Sequence, residues 1–361
     1  MPLPNKIILA AAGSGKTASI IDEGFAYQNG RVALVTYTIN GKAEFDRKAY
    51  ERHGVIVPHV TLITWYTFLL QHFVRPYQNH LYNPRITEIS FKRGQPPRGI
   101  RKSNTARYYF SSSASNRIRL ARVSEFACSI IDTTDGLPLR RFERIFDKLY
   151  VDEVQDLSGY DLTLIEHIMQ SNTEVVLVGD HRQATFTTHD GAKGKKYKRI
   201  GIIDKFKEWE KSGLSAIDYQ SHSYRCIQQV CDFADGFFPA FPKTESRNTD
   251  RTEHDGIFLL EENFVSQYMQ RFAPQPLRYN KTRGVESGSP INYGEAKGMT
   301  FDRVLIYPHR PLLKYLKTGN LTDAGKELAK IYVAITRARQ SVTFVVPDGF
   351  ESGLLPFYRF D

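Results

Sequence analysis

The chain has 361 residues, 41% of them apolar, which is long enough for two domains that each bury a core. Its 49 Lys and Arg residues outnumber its 39 Asp and Glu residues, and the resulting net charge of +10 favours a polyanionic partner. No apolar run approaches the ~18 residues of a membrane helix, so we expect no membrane-spanning helix.

The first predicted element is a buried strand that runs into a glycine-rich loop, IILAAAGSGKT, at residues 7–17. The pattern is that of a P-loop, G-x-x-x-x-G-K-[ST], with Ala10 at its first glycine position. Gly13 and Gly15 let the backbone turn its N–H groups toward a triphosphate. A helix that begins near Lys16 would add its positive dipole end. The predicted phosphate-binding residues are Ala12, Gly13, Ser14, Gly15, Lys16 and Thr17.

Within this loop the two last side chains have separate predicted tasks. Lys16 would reach the β- and γ-phosphates, and the Thr17 hydroxyl would hold Mg²⁺. The alternative is a Gly/Ser turn that arises by chance. The apolar strand before the loop and the helix-like segment ASIIDEGF after it argue against that alternative.

The N-terminus lacks a signal-peptide pattern, and the first strand starts almost at once, so we expect no removable leader. Cys128, Cys226 and Cys231 show no ligand spacing such as C-x-x-C. These cysteines are therefore expected to be reduced thiols of a cytoplasmic protein.

Two further apolar runs predict parallel strands of one sheet. Arg31–Tyr37 is almost continuously apolar, as strands buried on both faces should be. Lys42–Arg52 is helix-like and charged. Val60–Leu70 predicts a third strand that leads into an aromatic turn at Trp65 and Tyr66.

Residues 75–122 predict a reduced insertion subdomain on the first domain. From Arg85 onward its only acid is Glu88, and Tyr108, Tyr109 and Phe110 lie among its cations. The insertion is either a solvated loop or a surface for nucleic-acid phosphates with aromatic rings that stack on bases. From Arg85 to Arg122 the basic residues are Arg85, Lys92, Arg93, Arg98, Arg101, Lys102, Arg107, Arg117, Arg119 and Arg122.

The segment LYVDEVQD at residues 149–156 predicts a strand that delivers two acids to its carboxyl end. Asp152 would hold Mg²⁺ through water, and Glu153 would polarise the attacking water. Paired acids at a strand end can instead cap the next helix. The P-loop requires a metal-binding Asp on its own account, which favours the catalytic interpretation.

Residues 173–183, TEVVLVGDHRQ, predict another buried strand that ends near Asp180. Gln183 could sense the γ-phosphate by hydrogen bonding. The following segment, Ala192–Arg199, is a second basic cluster with five Lys or Arg residues. A solvated loop and a phosphate contact explain this cluster equally well.

A second αβ unit is predicted to begin near Ser215. Tyr224-Arg225-Cys226 opens a helix whose apolar residues recur at helical spacing. The remaining predicted elements are the strands SAIDY, Gly256–Leu260, Pro290–Tyr293, Arg303–Tyr307 and Ser341–Val346 and the amphipathic helix Lys326–Arg339.

Taken in order, these motifs resemble those of the UvrD/Rep/PcrA family of superfamily-one DNA helicases, and the resemblance extends from Ile7 to Val346. The P-loop alone is a general nucleotide-site signal, whereas the later motifs in this order are specific. The motifs that carry the resemblance are AAAGSGKT, TYTIN, TWYTF, VDEVQD, VGDHRQ, SYRC, GEAKGMTFDRV and YVAITRAR.

The resemblance implies an α/β fold of two RecA-like P-loop NTPase lobes, residues 1–213 and 214–361, with parallel sheets and with ATP and Mg²⁺ in the cleft between them. Lys16, Asp152 and Glu153 then match the family's catalytic residues, and Thr17 and Asp152 match its Mg²⁺ contacts. Gln183 matches its γ-phosphate sensor. The matching arginine fingers and the remaining nucleotide contact are Arg225, Arg337 and Gly298.

For nucleic acid, the resemblance implies that Tyr37, Tyr66 and Phe186 line the path of single-stranded DNA. Closure of the lobes would couple hydrolysis to stepping along that strand in the 3′→5′ direction. A P-loop kinase or a simple GTPase would leave Gln183, Arg225 and Arg337 without a role.

The chain departs from the family pattern at several points. No Gln precedes the first strand to read adenine, Thr188 stands near the family's stacking Trp, and Thr300 stands where a ribose-contacting Glu is common. The segment from Tyr224 to Gly294 is too short for the large subdomain that usually interrupts the second lobe.

Two functions follow from these features. The first is an ATP-driven single-stranded DNA translocase or 3′→5′ helicase. The second is a nucleotide-dependent DNA sensor, a regulatory ATPase subunit that controls a partner nuclease of the antiphage-defence type without robust unwinding. The trimmed accessory regions and Thr188 motivate the second.

Overall fold

The computed structural model describes residues 5–91, 99–111, 115–188, 193–281, 285 and 288–360. The chain divides into two compact units whose segments interleave. The first unit comprises Met1–Leu9, Lys16–His181 and Phe186–Asp218, and the second comprises Ala10–Gly15, Arg182–Thr185 and Tyr219–Asp361. The predicted lobe boundary between residues 213 and 214 stays a prediction.

A six-stranded sheet with the order β3-β2-β6-β7-β1-β8 organises the first unit. The neighbours from β3 through β1 run parallel. Val32–Thr36 is buried at every position, as expected for a parallel strand covered by helices on both faces. The strands are β1 (Lys6–Ala10), β2 (Val32–Thr36), β3 (Val60–Thr64), β6 (Lys148–Val151), β7 (Glu174–Gly179) and β8 (Ala216–Gln220), and a two-stranded parallel sheet in the insertion contains β4 (Glu88–Ser90) and β5 (Arg117–Arg119).

The helices of the first unit pack their apolar faces on this sheet. Ile20, Ile21 and Phe25 of the first helix lie in one core cluster with Val32 and Leu34. The helices are α1 (Lys16–Ala26), α2 (Ile39–His53), α3 (Trp65–Leu69), α4 (Thr105–Tyr109), α5 (Val123–Thr133), α6 (Leu137–Phe142), α7 (Tyr160–Met169) and α8 (Ile202–Lys211).

The predicted strand Val60–Leu70 is wrong in its second half. The strand ends at Thr64, and Trp65 and Tyr66 begin α3 and do not form a turn. The helix continues as a π-helical turn over Leu70–Val74. The apolar run WYTFLL fits a buried helix as well as a strand, because Trp65, Tyr66, Phe68 and Leu69 are all buried.

The second unit contains a five-stranded parallel sheet with the order β11-β15-β14-β12-β13 and a two-stranded parallel sheet of β9 and β10. The fold class is therefore confirmed as α/β, with parallel sheets of the kind expected for RecA-like lobes. The elements are β9 (His222–Ser223), α9 (Gln228–Asp235), β10 (Glu245–Ser246), β11 (Gly256–Glu261), α10 (Val265–Phe272), β12 (Gln275–Arg278), β13 (Ile291–Asn292), β14 (Phe301–Tyr307), α11 (Arg310–Thr318), α12 (Leu328–Ile335) and β15 (Ala338–Val346).

Two predicted helices of this unit have different bounds. The helix predicted over Lys326–Arg339 ends at Ile335, and β15 begins at Ala338, so Arg337 lies in the turn between them. The helix predicted from Tyr224 begins at Gln228. Both shifts leave the predicted arginines in connections, where their side chains can reach neighbouring loops.

The insertion adds little regular structure to the first unit. Besides β4, β5 and α4, Tyr82 and Phe110 stack with their ring centroids 3.8 Å apart. Lys92, Arg93 and Arg98 of the predicted insertion and Ala192 at the start of the second basic cluster lie outside the described residues. In the part of the chain that the structure describes, no helix is long and apolar enough to cross a membrane.

A buried histidine predicts how the stability of the chain depends on pH. Burial, together with Arg303 and Arg271, lowers the pKa of His254 to about 4, and the ring stacks between Phe258 and Phe272. Because the pKa is about 6.5 in the unfolded chain, only the unfolded state takes up this proton between pH 6.5 and about 4. The free energy of unfolding should therefore fall as the pH decreases through that window. Urea unfolding of His254→Phe should show a shallower pH dependence than the wild type, and an equal dependence would contradict the assignment.

Candidate nucleotide site

The strongest contact of the predicted site joins the start of α1 to the end of β6. Thr17 Oγ1 donates a hydrogen bond to Asp152 Oδ2 at 2.8 Å. Asp152 follows the last residue of β6 directly, so the parallel sheet delivers its carboxylate to the carboxyl edge. The structure thus brings together the two residues that were predicted to bind Mg²⁺.

A second contact joins the predicted phosphate-binding lysine to the predicted general base. Lys16 Nζ lies 3.6 Å from Glu153 Oε1. The backbone of Glu153 adopts the left-handed conformation with φ +56°, which costs free energy in a residue other than glycine. The Glu153 N–H donates to Asp152 Oδ1 at 2.9 Å. Backbone strain and two polar contacts therefore fix the orientation of these adjacent acids.

The carboxylate of Glu153 has a further donor that the sequence analysis missed. Gln155 Nε2 donates to the Glu153 carboxylate, and Gln155 Oε1 accepts from the Asp180 N–H at 3.1 Å. Gln155 is buried, so both ends of its amide are committed to these partners. The motif VDEVQD contains this residue, but its role depends on the single helical turn over Val154–Asp156.

The charges around Asp152 favour a bound cation. Burial raises the pKa of Asp152, the neighbouring Glu153 carboxylate raises it further, and Lys16 and the Thr17 hydroxyl oppose the rise. Burial and a neighbouring negative charge both disfavour the ionised form of a carboxyl group. A divalent cation near Asp152 would lower its pKa and stabilise the ionised form.

The donor set fits Mg²⁺ and a nucleotide phosphate. A hydroxyl oxygen and a carboxylate oxygen in contact are hard donors, and Mg²⁺ in phosphate sites binds one or two protein oxygens together with substrate phosphates and water. Among the described residues, Ser14 Oγ is buried without a hydrogen-bond partner in the phosphate-binding loop. Such a buried hydroxyl suits a polar ligand group.

The loop residues Ala10–Gly15 belong to the second unit. Backbone carbonyls of this loop accept hydrogen bonds from residues of the same unit. Ser223 Oγ donates to the Ala12 carbonyl at 2.7 Å, and the Tyr224 N–H donates to the Gly13 carbonyl at 2.9 Å. Gly13 has φ +77°, and a Cβ at this position would lie 2.5 Å from Arg225 Cβ. Ser223 is a further residue that the sequence analysis missed, although the motif SYRC includes it.

The predicted sensor and both predicted arginine fingers lie in this same unit. Arg337 is 1% exposed, and its guanidinium donates to Gln183 Oε1 at 3.1 Å and to the carbonyls of Val333 and Met299. Arg225 Nη1 donates to the Thr336 carbonyl at 3.1 Å. The structure therefore joins Gln183 to Arg337 and packs Arg225 against the glycine of the phosphate-binding loop.

Gly298, the remaining predicted nucleotide contact, has φ +86° and open space around its Cβ position. The carbonyl of the next residue, Met299, is one of the acceptors of Arg337. Its role toward a nucleotide stays a prediction.

The three aromatic residues predicted to line a nucleic-acid path form one cluster in the first unit. The ring centroids of Tyr37 and Tyr66 are 5.6 Å apart, and those of Tyr37 and Phe186 are 5.7 Å apart. The two hydroxyls of Tyr37 and Tyr66 are 3.4 Å apart. Tyr66 is buried, whereas Phe186 is 39% exposed. Tyr66 is therefore the buried member of the cluster, and the ring of Phe186 is partly exposed to solvent.

The basic clusters contain both paired and exposed cations. In the insertion, Arg122 pairs with the buried Glu125, and Lys102 Nζ lies 3.9 Å from the same carboxylate. In the second cluster, Lys193 Nζ lies 3.8 Å from the ring centroid of Tyr160. Cations of both clusters therefore have partners within the protein.

One family model matches part of the chain. Residues 26–199 match the family model described as the UvrD/REP helicase N-terminal domain. The matched range contains Asp152, Glu153 and Gln183 and begins after Lys16 and Thr17. The expected resemblance to UvrD/Rep helicases is thereby confirmed for this part of the chain. No curated protein matches the sequence.

Several solved helicase structures are similar to the chain at low identity. The Arterivirus nonstructural protein 10 (helicase) in complex with DNA matches with 17% identity and a TM-score of 0.47, over 96% of this chain and 61% of that chain. The same Arterivirus helicase in another crystal structure matches with 16% identity and a TM-score of 0.47, over 97% and 62%. PRRSV nsp10 (helicase) matches with 15% identity and a TM-score of 0.23, over 96% and 55%. The chain spans about three fifths of the length of these helicases.

The crowding at Gly13 can be separated from its backbone strain by a matched pair of variants. Gly54 has φ +73° with nothing within 4 Å of its Cβ position, whereas Gly13 has the contact with Arg225. Both alanine substitutions should carry a strain of about 1 kcal/mol, and only Gly13→Ala should also displace the loop. We expect Gly13→Ala to lose measurable Mg·ATP affinity by calorimetry, while Gly54→Ala retains wild-type affinity. Equal affinities for the two variants would contradict this account of the loop.

Replacement of Gln155 tests whether it positions Glu153. In Gln155→Leu the carboxylate loses a buried donor, so we expect hydrolysis of ATP to slow by between about tenfold and a hundredfold with nucleotide affinity little changed. Gln78→Leu is the matched control, because Gln78 is also buried and bonds through both ends of its amide, to Pro84 and Ile86. The assignment would be contradicted if Gln78→Leu also hydrolysed ATP slowly, or if Gln155→Leu hydrolysed it as fast as the wild type.

Proposed function

We propose that this chain, whose residues 26–199 match the model of the UvrD/REP helicase N-terminal domain, is an ATP-dependent single-stranded DNA translocase and 3′→5′ helicase. The observation that carries the proposal is the joined pair of contacts Thr17–Asp152 and Lys16–Glu153. These contacts place an ammonium, a hydroxyl and two carboxylates at one edge of a parallel sheet, which is the arrangement that phosphoryl transfer to water requires.

In the proposed reaction each group of this edge has one task. Lys16 leaves Glu153 and binds the β- and γ-phosphate oxygens of ATP, and this frees the Glu153 carboxylate to accept a proton from the attacking water. Gln155 holds that carboxylate in place through its amide N–H. Thr17 and Asp152 would hold Mg²⁺, which when bound neutralises negative charge on the phosphates.

The second unit would complete the reaction with positive charge. Gln183 and Arg337 already contact each other, so we assign them as one sensing pair for the γ-phosphate. Arg225 packs against Gly13 and would stabilise charge that develops on the phosphoryl group. We propose that ATP hydrolysis is coupled to closure of the lobes and that this movement drives translocation along the strand.

The proposed track for the strand is the cluster of Tyr37, Tyr66 and Phe186. The exposed ring of Phe186 offers a face for base stacking, which is tolerant of sequence. The net charge of +10 favours association with the phosphate backbone. The 3′→5′ direction is carried over from the resemblance.

One observation favours a second candidate, the regulatory ATPase that controls a partner nuclease of antiphage-defence type. Thr188, which stands near the family's stacking Trp, is buried and bonded to Asp161 and Ser158. A residue held in this way cannot stack on a base. Such a subunit would hydrolyse ATP on DNA without separating strands.

Two variants test the proposal and separate the candidates. Lys16→Ala should lose ATP hydrolysis by at least about a hundredfold, and Glu153→Gln should bind Mg·ATP but hydrolyse it as slowly. Lys207→Ala, which changes an exposed lysine of α8, is the control and should behave as the wild type. The measurements are hydrolysis with and without single-stranded DNA and displacement of a strand from a duplex with a 3′ overhang.

The outcomes discriminate as follows. Hydrolysis stimulated by DNA with strand displacement supports the helicase, and stimulation without displacement supports the regulatory subunit. Both candidate functions would be contradicted if Lys16→Ala hydrolysed ATP at the wild-type rate. They would also be contradicted if no nucleic acid stimulated ATP hydrolysis by the wild type.

A further inference from the structure

A buried carboxylate of α7 collects donors from several separate segments of the first unit. Trp65 Nε1 donates to Asp161 Oδ1 at 2.8 Å, and the hydroxyls of Ser124 and Thr188 also donate to this carboxylate. Asp161 is buried, so its charge is balanced by these three donors in place of water. We call Asp161, Trp65, Ser124, Thr188 and Ser158 the Asp161 hub.

Thr188 connects the hub to the loop that carries the catalytic acids. Its hydroxyl accepts from the Ser158 N–H at 2.9 Å, and its N–H donates to the Asp156 carbonyl at 2.9 Å. Asp156 ends the turn that begins directly after Glu153. A displacement of Thr188 would therefore pull on Asp156 and Ser158, which lie between the catalytic acids and α7.

The same hub is adjacent to the aromatic cluster. Trp65 precedes Tyr66 in α3, and Thr188 follows Phe186 by two residues. Asp161 and Thr188 line a small surface pocket together with Tyr66 and Tyr160. A nucleic-acid strand that contacts Phe186 and Tyr37 would thus press on the neighbouring residues Trp65 and Thr188, which bond directly to Asp161.

Physical reasoning favours movement of the hub as one body. Loss of a single partner would leave a buried polar group unsatisfied, which costs more than the bond itself contributes. Networks of this kind in a low-dielectric interior are cooperative. A small shift at the aromatic cluster is therefore transmitted through Thr188 and is not absorbed by one broken bond.

We propose that Asp161 is a positioning residue that couples binding of a nucleic-acid strand at the aromatic cluster to the geometry of the Asp152–Asp156 segment. An occupied cluster sets the catalytic acids in their productive arrangement, and an empty cluster leaves them less well placed. This inference rests on the proposed function, because it concerns stimulation of hydrolysis by a strand.

The test compares variants that each remove the hydrogen-bonding group of one hub residue. Thr188→Val removes the hydroxyl that bonds Asp161, and Trp65→Phe removes the indole N–H while it keeps a buried ring. Thr134→Val is the matched control, because Thr134 is 8% exposed against 7% for Thr188. Among the described residues, the Thr134 hydroxyl bonds only the Ile130 carbonyl at the end of α5. Each purified full chain is first checked for a cooperative thermal transition.

The readouts are the hydrolysis rate with nucleotide alone, the rate with a saturating oligo-dT strand, and the affinity for that strand by fluorescence anisotropy. We expect Thr188→Val and Trp65→Phe to keep the nucleotide-only rate and the strand affinity within about threefold, and to lose at least about fivefold of the stimulation. Thr134→Val should be stimulated as the wild type is. If Thr188→Val does not fold, Trp65→Phe alone decides the question.

Four results would overturn the inference. If a nucleic-acid strand stimulates ATP hydrolysis by the folded hub variants as fully as by the wild type, the hub does not couple the aromatic cluster to the Asp152–Asp156 segment. A nucleotide-only rate that falls in step with the stimulated rate would show a purely structural role. Equal loss in Thr134→Val would show that any buried hydroxyl in this region has the same effect. A wild type that is not stimulated contradicts the proposed function itself and removes the inference with it, whereas the first three results leave the proposed function standing.

Discussion

The rest of the first unit depends on one pair of contacts, which join Thr17 to Asp152 and Lys16 to Glu153. Two adjacent carboxylates, one of them fully desolvated, are costly unless cations and donors balance them. One ammonium and one hydroxyl from the start of α1 supply that balance. The parallel sheet makes the balance possible, because the ends of β1 and β6 meet at the same edge.

The other features of the site follow from the need to hold these acids in one arrangement. Glu153 has a strained backbone, and Gln155 ties its carboxylate to the backbone of Asp180 at the end of β7. A buried polar group of the second unit is held by hydrogen bonds in the same way. The guanidinium of Arg337 donates to Gln183 and to backbone carbonyls. Donors that restrain a catalytic side chain reduce the reorganisation that hydrolysis must overcome.

The sequence predicted the parts of the molecule that local patterns determine. The buried strands and the start of α1 at Lys16 were predicted because continuous apolar runs and a glycine-rich loop have few alternatives. The end of β3 was predicted wrongly, because WYTFLL is apolar enough for either a strand or a helix. The end of α12 was also wrong, since YVAITRAR has helical spacing while tertiary pairing with β14 draws Ala338 into a strand.

Partners of the site residues could not be predicted in the same way. Gln155 and Ser223 stand inside recognised motifs, yet their roles depend on which backbone groups the fold places opposite them. The hydrogen bonds of Asp161 join residues 37 and 27 positions apart in sequence, and no local pattern encodes such pairs. Burial of Tyr66 likewise depends on packing, which is why its part in the aromatic cluster differs from that of Phe186.

The central claim is that the edge formed by Lys16, Thr17, Asp152 and Glu153 binds the phosphates of a nucleotide with Mg²⁺. The most direct measurement is a structure of the full chain determined with Mg²⁺ and a non-hydrolysable ATP analogue. The account predicts that Lys16 exchanges Glu153 for a phosphate oxygen and that the metal lies beside Thr17 and Asp152. A nucleotide bound elsewhere, or a Lys16–Glu153 ion pair that persists beside the bound nucleotide, would contradict it.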